Sequence, residues 1–154
     1  MPVKPARTKP ARRKKREAPV ARAESFRKVR TDNASEITQD YVEAIAELIE
    51  SDGEARPTDL ARMFGVSHVT VIRTVARLQR DGHLTTKPYR SIFLTQKGTA
   101  LAAECRERHA LVVSFLLALG VPQKVAESDA EGMEHHLSAE TISAIRSYLR
   151  RCTD

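Results

Sequence analysis

Apolar positions in this chain recur at helical spacing almost everywhere and turn β-like only once. In "SEITQDYVEAIAELIESDG" the residues Ile37, Tyr41, Ile45, Leu48 and Ile49 fall on one stripe. That spacing predicts an amphipathic helix with Ser35 as a candidate cap and Gly53 as its stop, its start left open because residues 24–34 could lengthen it. In "ARPTDLARMFGVSHVTVIRTVARLQRDGHL", Pro57 opens a short helix that turns Leu60, Ala61 and Phe64 inward. Gly65 supplies a tight turn, and Ser67 caps a second helix with Val71, Val75 and Leu78 on its inner face. Asp81-Gly82 ends it. A short helix, a glycine-bearing turn and a second amphipathic helix predict a helix-turn-helix. "HLTTKPYRSIFLT" is β-prone and broken at Lys87-Pro88, the pattern of a two-stranded hairpin, so the motif takes its winged form.

From Thr95 the period is helical again. "TQKGTALAAECRERHALVVSFLLALG" runs to a stop at Gly120, "VPQKVAESDAEGMEHH" makes a further helix, and Ser138 with Thr141 opens "SAETISAIRSYLRRC". Leu111, Val112, Val113, Phe115, Leu116, Leu117 and Leu119 exceed what three short helices bury alone. A helix apolar nearly all round is covered on more than one side, and a second copy of the chain is the economical cover. The expected fold class is mainly α with a small β-wing. Its parts are a basic N-terminal arm (1–34), a winged helix-turn-helix DNA-binding domain (35–95) and an all-helical domain for dimerisation (96–154).

Composition changes this picture in two ways. The 154 residues are 41% hydrophobic but only 5% aromatic, which favours helical layers over packed sheets. Net charge is +6, yet residues 1–30 hold 12 Lys or Arg against two acids, so the remainder is mildly acidic. The leader has almost nothing to bury and is expected to be disordered when free, serving as an arm that strengthens contact with polyanions. It lacks the apolar run of a secretory signal, and no stretch approaches the ~20 apolar residues of a membrane span. Cys105 and Cys152 lie far apart without CxxC spacing, which implies neither a disulfide framework nor a zinc ribbon and suits the cytoplasm.

In a helix-turn-helix the early residues of the second helix reach base edges in the major groove. Behind Ser67, the outward face carries His68, Val69, Thr70, Arg73 and Arg77. Arg73 and Arg77 lie one turn apart, able to pair with guanine or to grip successive phosphates. Val69, the Thr70 methyl and Ile72 suit thymine methyls. Tyr89 and Arg90 stand near the wing tip, where phosphate or minor-groove contact is natural. Any one of these also reads as plain exposed surface. As a set, behind a turn and before a wing, they point to double-stranded DNA, and a dimer of such readers matches a palindromic operator. His68 and His83 are away from acid clusters and read as polar surface groups.

"DAEGMEHHLS" raises a second chemistry. On a helix, Glu131, Glu134 and His135 sit at i, i+3 and i+4 and converge on one face, whereas His136 points elsewhere. Asp40 and Glu43 in "DYVE" are again at i, i+3, and His109 in "RERHALVV" stands where a charged face meets an apolar one. Each has a plainer explanation: an exposed triplet, a solvated acidic face continuing through Glu47, a half-buried histidine bonded to a carboxylate. Together they are four carboxylates and two imidazoles without a thiolate, a set that suits Mn2+ or Fe2+. Six side chains exceed the usual protein share of one ion, so two ions per subunit with bridging carboxylates are expected.

The order "DYVE", helix-turn-helix, wing, "RERH", "EGMEHH" resembles the manganese-responsive branch of the diphtheria-toxin-repressor family, the manganese transport regulators, over roughly residues 36–150. The resemblance implies a metal site at Asp40, Glu43, His109, Glu131, Glu134 and His135, and a homodimeric repressor that shuts off manganese-uptake genes with the cation as corepressor. Iron-sensing relatives typically carry sulfur at the positions of Asp40 and Glu131, so the resemblance favours Mn2+, with Fe2+ as the alternative. The SH3-like third domain of the iron sensors is not expected, and the basic leader lies outside the family pattern. Two rival readings stay open. A two-metal hydrolase would use similar ligands but also needs substrate-positioning groups, which are not visible. A winged-helix regulator indifferent to metal would leave the acids as surface. No small-molecule substrate and no membrane partner are expected.

Overall fold

The structure, a computed structural model, describes residues 19–87 and 91–153. Its first helix, α1 (Pro19–Asp52), is longer than the apolar stripe requires. Ser35 lies inside this helix rather than capping it; residues 24–34 lengthen it and residues 19–23, expected to be unstructured, are helical too, while residues 1–18 of the arm lie outside the described residues. The physical reason is local. Ala, Arg, Glu and Lys form helix readily, and the packed C-terminal half has already met the cost of nucleation. Thr31 Oγ1 donates to the Arg27 carbonyl (3.0 Å) and Thr38 Oγ1 to the Ala34 carbonyl (2.8 Å), one turn back each time. Ile37, expected on the inner stripe, is exposed; burial begins at Tyr41. Tyr41 stacks on Phe64 with ring centroids 4.6 Å apart.

Gly53 stops α1, and α2 (Pro57–Phe64) follows with proline in its first turn. Gly65 then adopts the left-handed conformation (φ 64°) that a side chain would disfavour, and α3 (His68–Arg80) begins. The Ser67 hydroxyl accepts from the Thr70 amide at 3.1 Å, the predicted cap. β1 (Leu84–Thr86) and β2 (Ile92–Leu94) pair antiparallel with Leu84 opposite Leu94. The wing tip, with Tyr89 and Arg90, lies outside the described residues. The Ile92 amide also donates to the Ala55 carbonyl (2.9 Å), tying the wing to the turn after α1. Val42, Ile45, Leu60, Val71, Leu78, Leu84 and Ile92 are fully buried together, each contributing on the order of 1.5–3 kcal/mol of apolar burial.

α4 (Gln96–Ala118) starts at Thr95, whose hydroxyl accepts from the Gly98 amide (3.1 Å) and donates to the Gly82 carbonyl (2.7 Å). A Cβ at Gly98 would stand 2.1 Å from the His83 carbonyl oxygen, so only glycine permits this approach. α5 (Gln123–Met133) is shorter than the sequence suggested, because Glu134–His136 tighten into a 3-10 turn. α6 (Ala139–Thr153) opens at Ser138, whose hydroxyl accepts from the Thr141 amide at 3.2 Å. Val112, Leu116, Ala126 and Ala130 form a second, smaller core, while Leu117, Leu119 and Val125 stay exposed. Among the described residues no helix is long and apolar enough to cross a membrane.

Candidate metal centre

Asp40 and Glu43 project from the face of α1 opposite its core stripe, α4 supplies His109, and the last turn of α5 supplies Glu131. The 3-10 turn supplies Glu134 and His135. The predicted convergence of Glu131, Glu134 and His135 on one α-helical face is therefore corrected. Tightening of the chain after Met133 buries Glu134 and draws His135 across to α1, leaving Glu131 exposed at the rim.

Five of the six side chains, Asp40, Glu43, His109, Glu131 and His135, line one cleft of about 430 Å3, and the buried Glu134 lies against its two histidines. His109 Nδ1 lies 2.7 Å from Glu134 Oε2 and 3.8 Å from Glu131 Oε1, and one ligand atom from each of these three residues falls within 4.8 Å of the others. On the far side of the same carboxylate, Glu134 Oε1 is 3.7 Å from His135 Nε2, which in turn is 3.2 Å from Asp40 Oδ1. Glu134, 2% exposed, thus spans the two imidazoles with one oxygen each.

Charge in the cleft is unbalanced. Burial pushes the Glu43 carboxyl up to about 7, and the neighbouring Glu134, Glu131 and Asp40 push it the same way. Burial also raises Asp40 and Glu134, with His135 and His109 respectively pulling back. Carboxyls that raise one another's pKa, set among imidazole lone pairs, suit a hard divalent cation, whose charge reverses each of those effects. The residues present fit such an ion.

Two neighbours escaped the sequence reading. Gln39 Oε1 lies 2.9 Å from His135 Nδ1, and Gln39 Nε2 donates to Ser35 Oγ (3.1 Å). Arg108 reaches the Glu134 carbonyl (3.5 Å) and the Glu104 carboxylate (2.6 Å), bracing the 3-10 turn against α4. Gln39 and His135 are joined only through that turn, so nothing local announced the pair; Arg108 had only its place beside His109 to mark it. His136 is exposed with Nε2 3.8 Å from Glu36 Oε2, outside the group as expected.

On the reading helix, His68, Val69, Thr70 and Arg73 are exposed. Arg77 is not presented with them. It is half-buried and donates to the Ala34 carbonyl of α1 at 3.5 Å, because its position on α3 faces the flank of that helix. His83, expected at the surface, is half-buried with Nδ1 lacking a partner among the described residues, and burial lowers its pKa.

Comparison with known proteins agrees with this layout. The iron-dependent repressor N-terminal DNA-binding domain matches residues 33–92, and the iron-dependent repressor metal-binding and dimerisation domain matches residues 95–154. The chain is 48% identical over 128 residues to the transcriptional regulator MntR of Escherichia coli O6:H1, covering 83% of each chain. It is 42% identical over 107 residues to the HTH-type transcriptional regulator MntR of Listeria welshimeri, covering 70% of this chain and 75% of that one. A solved manganese-dependent transcriptional repressor in complex with manganese superposes with a TM-score of 0.66 at 28% identity, covering 73% of this chain; the chain spans about half (52%) of that protein's length. These three relatives are regulators of transcription, which removes the hydrolase reading. With both domains matched in order across most of its length, the chain belongs to the iron-dependent repressor family of DNA-binding, metal-binding transcriptional regulators.

Proposed function

We propose that the protein is a homodimeric, Mn2+-responsive repressor of manganese-uptake genes, acting in the cytoplasm on a palindromic operator. Its working division is an arm (1–34), a winged DNA-binding domain (35–95) and a metal-binding and dimerisation domain (96–154). One observation carries the reading. Asp40 and Glu43, on the helix that also seats α3, meet His109, Glu131 and His135 from the C-terminal half around a single cleft, with the buried Glu134 bonded to His109. An oxygen-rich set with two imidazoles and no thiolate suits Mn2+, and the 28%-identical structural relative is manganese-dependent by name. Glu134, facing one imidazole with each oxygen, supports two ions per subunit.

When bound, the cation supplies positive charge and a demand for oxygen and nitrogen lone pairs. The chain's own residues do the rest. Without a cation the gathered carboxylates repel, at about 1–4 kcal/mol for a like pair at 4 Å, and Glu43 keeps a proton up to about pH 7. With the repulsion removed, α1 is held against α4 and the 3-10 turn. The two α3 helices of a dimer are then fixed one DNA turn apart. A coupling of about 1–3 kcal/mol makes a useful switch.

Dialysed protein titrated with Mn2+, Fe2+ and Zn2+ under anaerobic conditions tests this, with metal uptake and DNA anisotropy read on one preparation. Stoichiometric Mn2+ uptake with at least tenfold tighter DNA binding is expected; equal DNA affinity with and without metal removes the switch. Fe2+ is the second reading, favoured by the family's iron-dependent relatives and by its place next to Mn2+ in affinity order. Asp40→Met with Glu131→Cys separates them: softer ligands shift activation towards Fe2+ or Zn2+, and a double variant still best activated by Mn2+ defeats the argument from ligand hardness.

A further inference from the structure

The N-terminal turns of α1 lie outside the core, the cleft and the reading face, yet they are ordered and basic. Arg22, Arg27 and Arg30 are exposed. At 100° per residue they fall within an arc of about 140° that holds no acid; Glu24 and Asp32 lie outside it. Arg27, Arg30, Ala34 and Tyr41 follow one line along the helix at i, i+3, i+7 and i+14. That line points to α3: the Ala34 carbonyl accepts from Arg77, and Tyr41 is bonded to Thr74. The arginines therefore continue, beyond the body of the protein, the face that packs on the reading helix. Along the axis Arg27 lies about 10 Å and Arg22 about 18 Å past Ala34.

A duplex read by α3 presents a row of phosphates on either side of a major groove about 12 Å wide. A basic helix leaving the flank of α3 meets such a row and not the base edges. The 18 residues before α1 add eight Lys or Arg and one acid to the same end of the chain. We infer that the Pro19–Asn33 part of α1 is a second DNA-contacting surface, binding phosphates beside the groove read by α3 through Arg22, Arg27 and Arg30. It contributes affinity without sequence choice. This rests on the DNA-binding reading above. The exposed Phe26 lies within the arc and Val29 at its edge, which makes pairing with a second copy the competing use of this face.

The test uses the full chain with Mn2+ and two probes: a duplex selected by the unaltered protein from a random pool, and a scrambled duplex of the same length. Arg22→Gln/Arg27→Gln/Arg30→Gln keeps residues that favour helix, which circular dichroism checks. Lys124→Gln/Arg150→Gln/Arg151→Gln removes equal charge from exposed positions on α5 and α6. Each phosphate that is no longer neutralised lowers the slope of log affinity against log salt by about 0.9. The arm variant is expected to lose about one unit or more of slope, to weaken on both probes by the same factor, and to sediment as the unaltered protein does. The control variant is expected to keep the unaltered slope. An unchanged slope in the arm variant, an equal loss in the control, or a change of oligomeric state in the arm variant overturns the inference while leaving the repressor reading intact. Failure of the unaltered protein to select any duplex with Mn2+ overturns both.

Discussion

The two apolar cores of this molecule are built to different standards. The N-terminal core is nearly self-contained: α1, α2, α3 and both strands supply most of it, with Ala102 from α4, and eight side chains reach full burial there. The C-terminal core has four buried members, two of them alanines, and leaves Leu117, Leu119 and Val125 on the outside. The first holds a reading helix in place by its own packing; the second is incomplete as one chain, as a dimerisation domain should be. Between them lies a third interior, the cleft, where the buried group is the Glu134 carboxyl. The first interior is finished by apolar contact; on the proposed reading another copy would finish the second and a cation the third.

Substitutions can pull this comparison apart. The largest effect is expected at Leu60, fully buried in the nearly self-contained core. Leu60→Ala costs about 2–5 kcal/mol, read as a lowered thermal midpoint at any protein concentration. Leu117→Glu with Leu119→Glu should barely alter the fold of one chain but yield monomers in sedimentation. DNA affinity then falls by about 100-fold or more as two linked contacts become one. Unchanged dimers would mean that some other surface completes the second core.

In the cleft the signs reverse. Glu134→Gln is expected to raise the thermal midpoint of metal-free protein, because a buried charge is removed, and to lower Mn2+ affinity by at least tenfold. A stabilised variant with intact Mn2+ uptake would place the ion elsewhere. Glu43 gives the pH dependence. Folded, it holds its proton up to about 7; unfolded, it loses it in the ordinary carboxylate range. The metal-free fold is thus favoured by this group at the acidic end and loses that contribution as pH rises through about 7. Glu43→Gln should flatten the profile of thermal midpoint against pH. Protons released on Mn2+ uptake, by calorimetry in two buffers, should fall in the same variant. The smallest effect is expected at the reading helix cap, where Ser67→Ala costs about 1 kcal/mol.

Most of the DNA-reading half was legible because its signals are local. Gly65, Ser67 and the Val71, Val75, Leu78 stripe each sit within a turn of what they control. The six cleft residues could be named as candidates, and from residues alone their plainer explanations stayed open, since Asp40 and His135 lie 95 positions apart and only packing brings them together. What the pattern missed depends on three-dimensional accidents of the backbone: the tightening after Met133 that buries Glu134, the reach of Gln39 and Arg108, and the turning of Arg77 to Ala34. At residues 19–23, charge and proline content hid a helix propensity that Ala and Arg supply.

Gly98 has a mechanical meaning. With no side chain to hold them apart, the turn after α3, at His83, and the start of α4 touch backbone to backbone, and Lys97 Nζ on the Asp81 carbonyl (2.9 Å) clamps the joint. From that joint α3 and the stretch of α4 up to His109 each run about 20 Å, so the pair works as a bell crank with near-equal arms. A displacement of about 1 Å at the imidazole end tilts the crank by about 3° and arrives at the fingertip of the reading helix undiminished. On the proposed reading, a cation held at His109 would act on α3 through this glycine-tight corner, without a long relay of side chains.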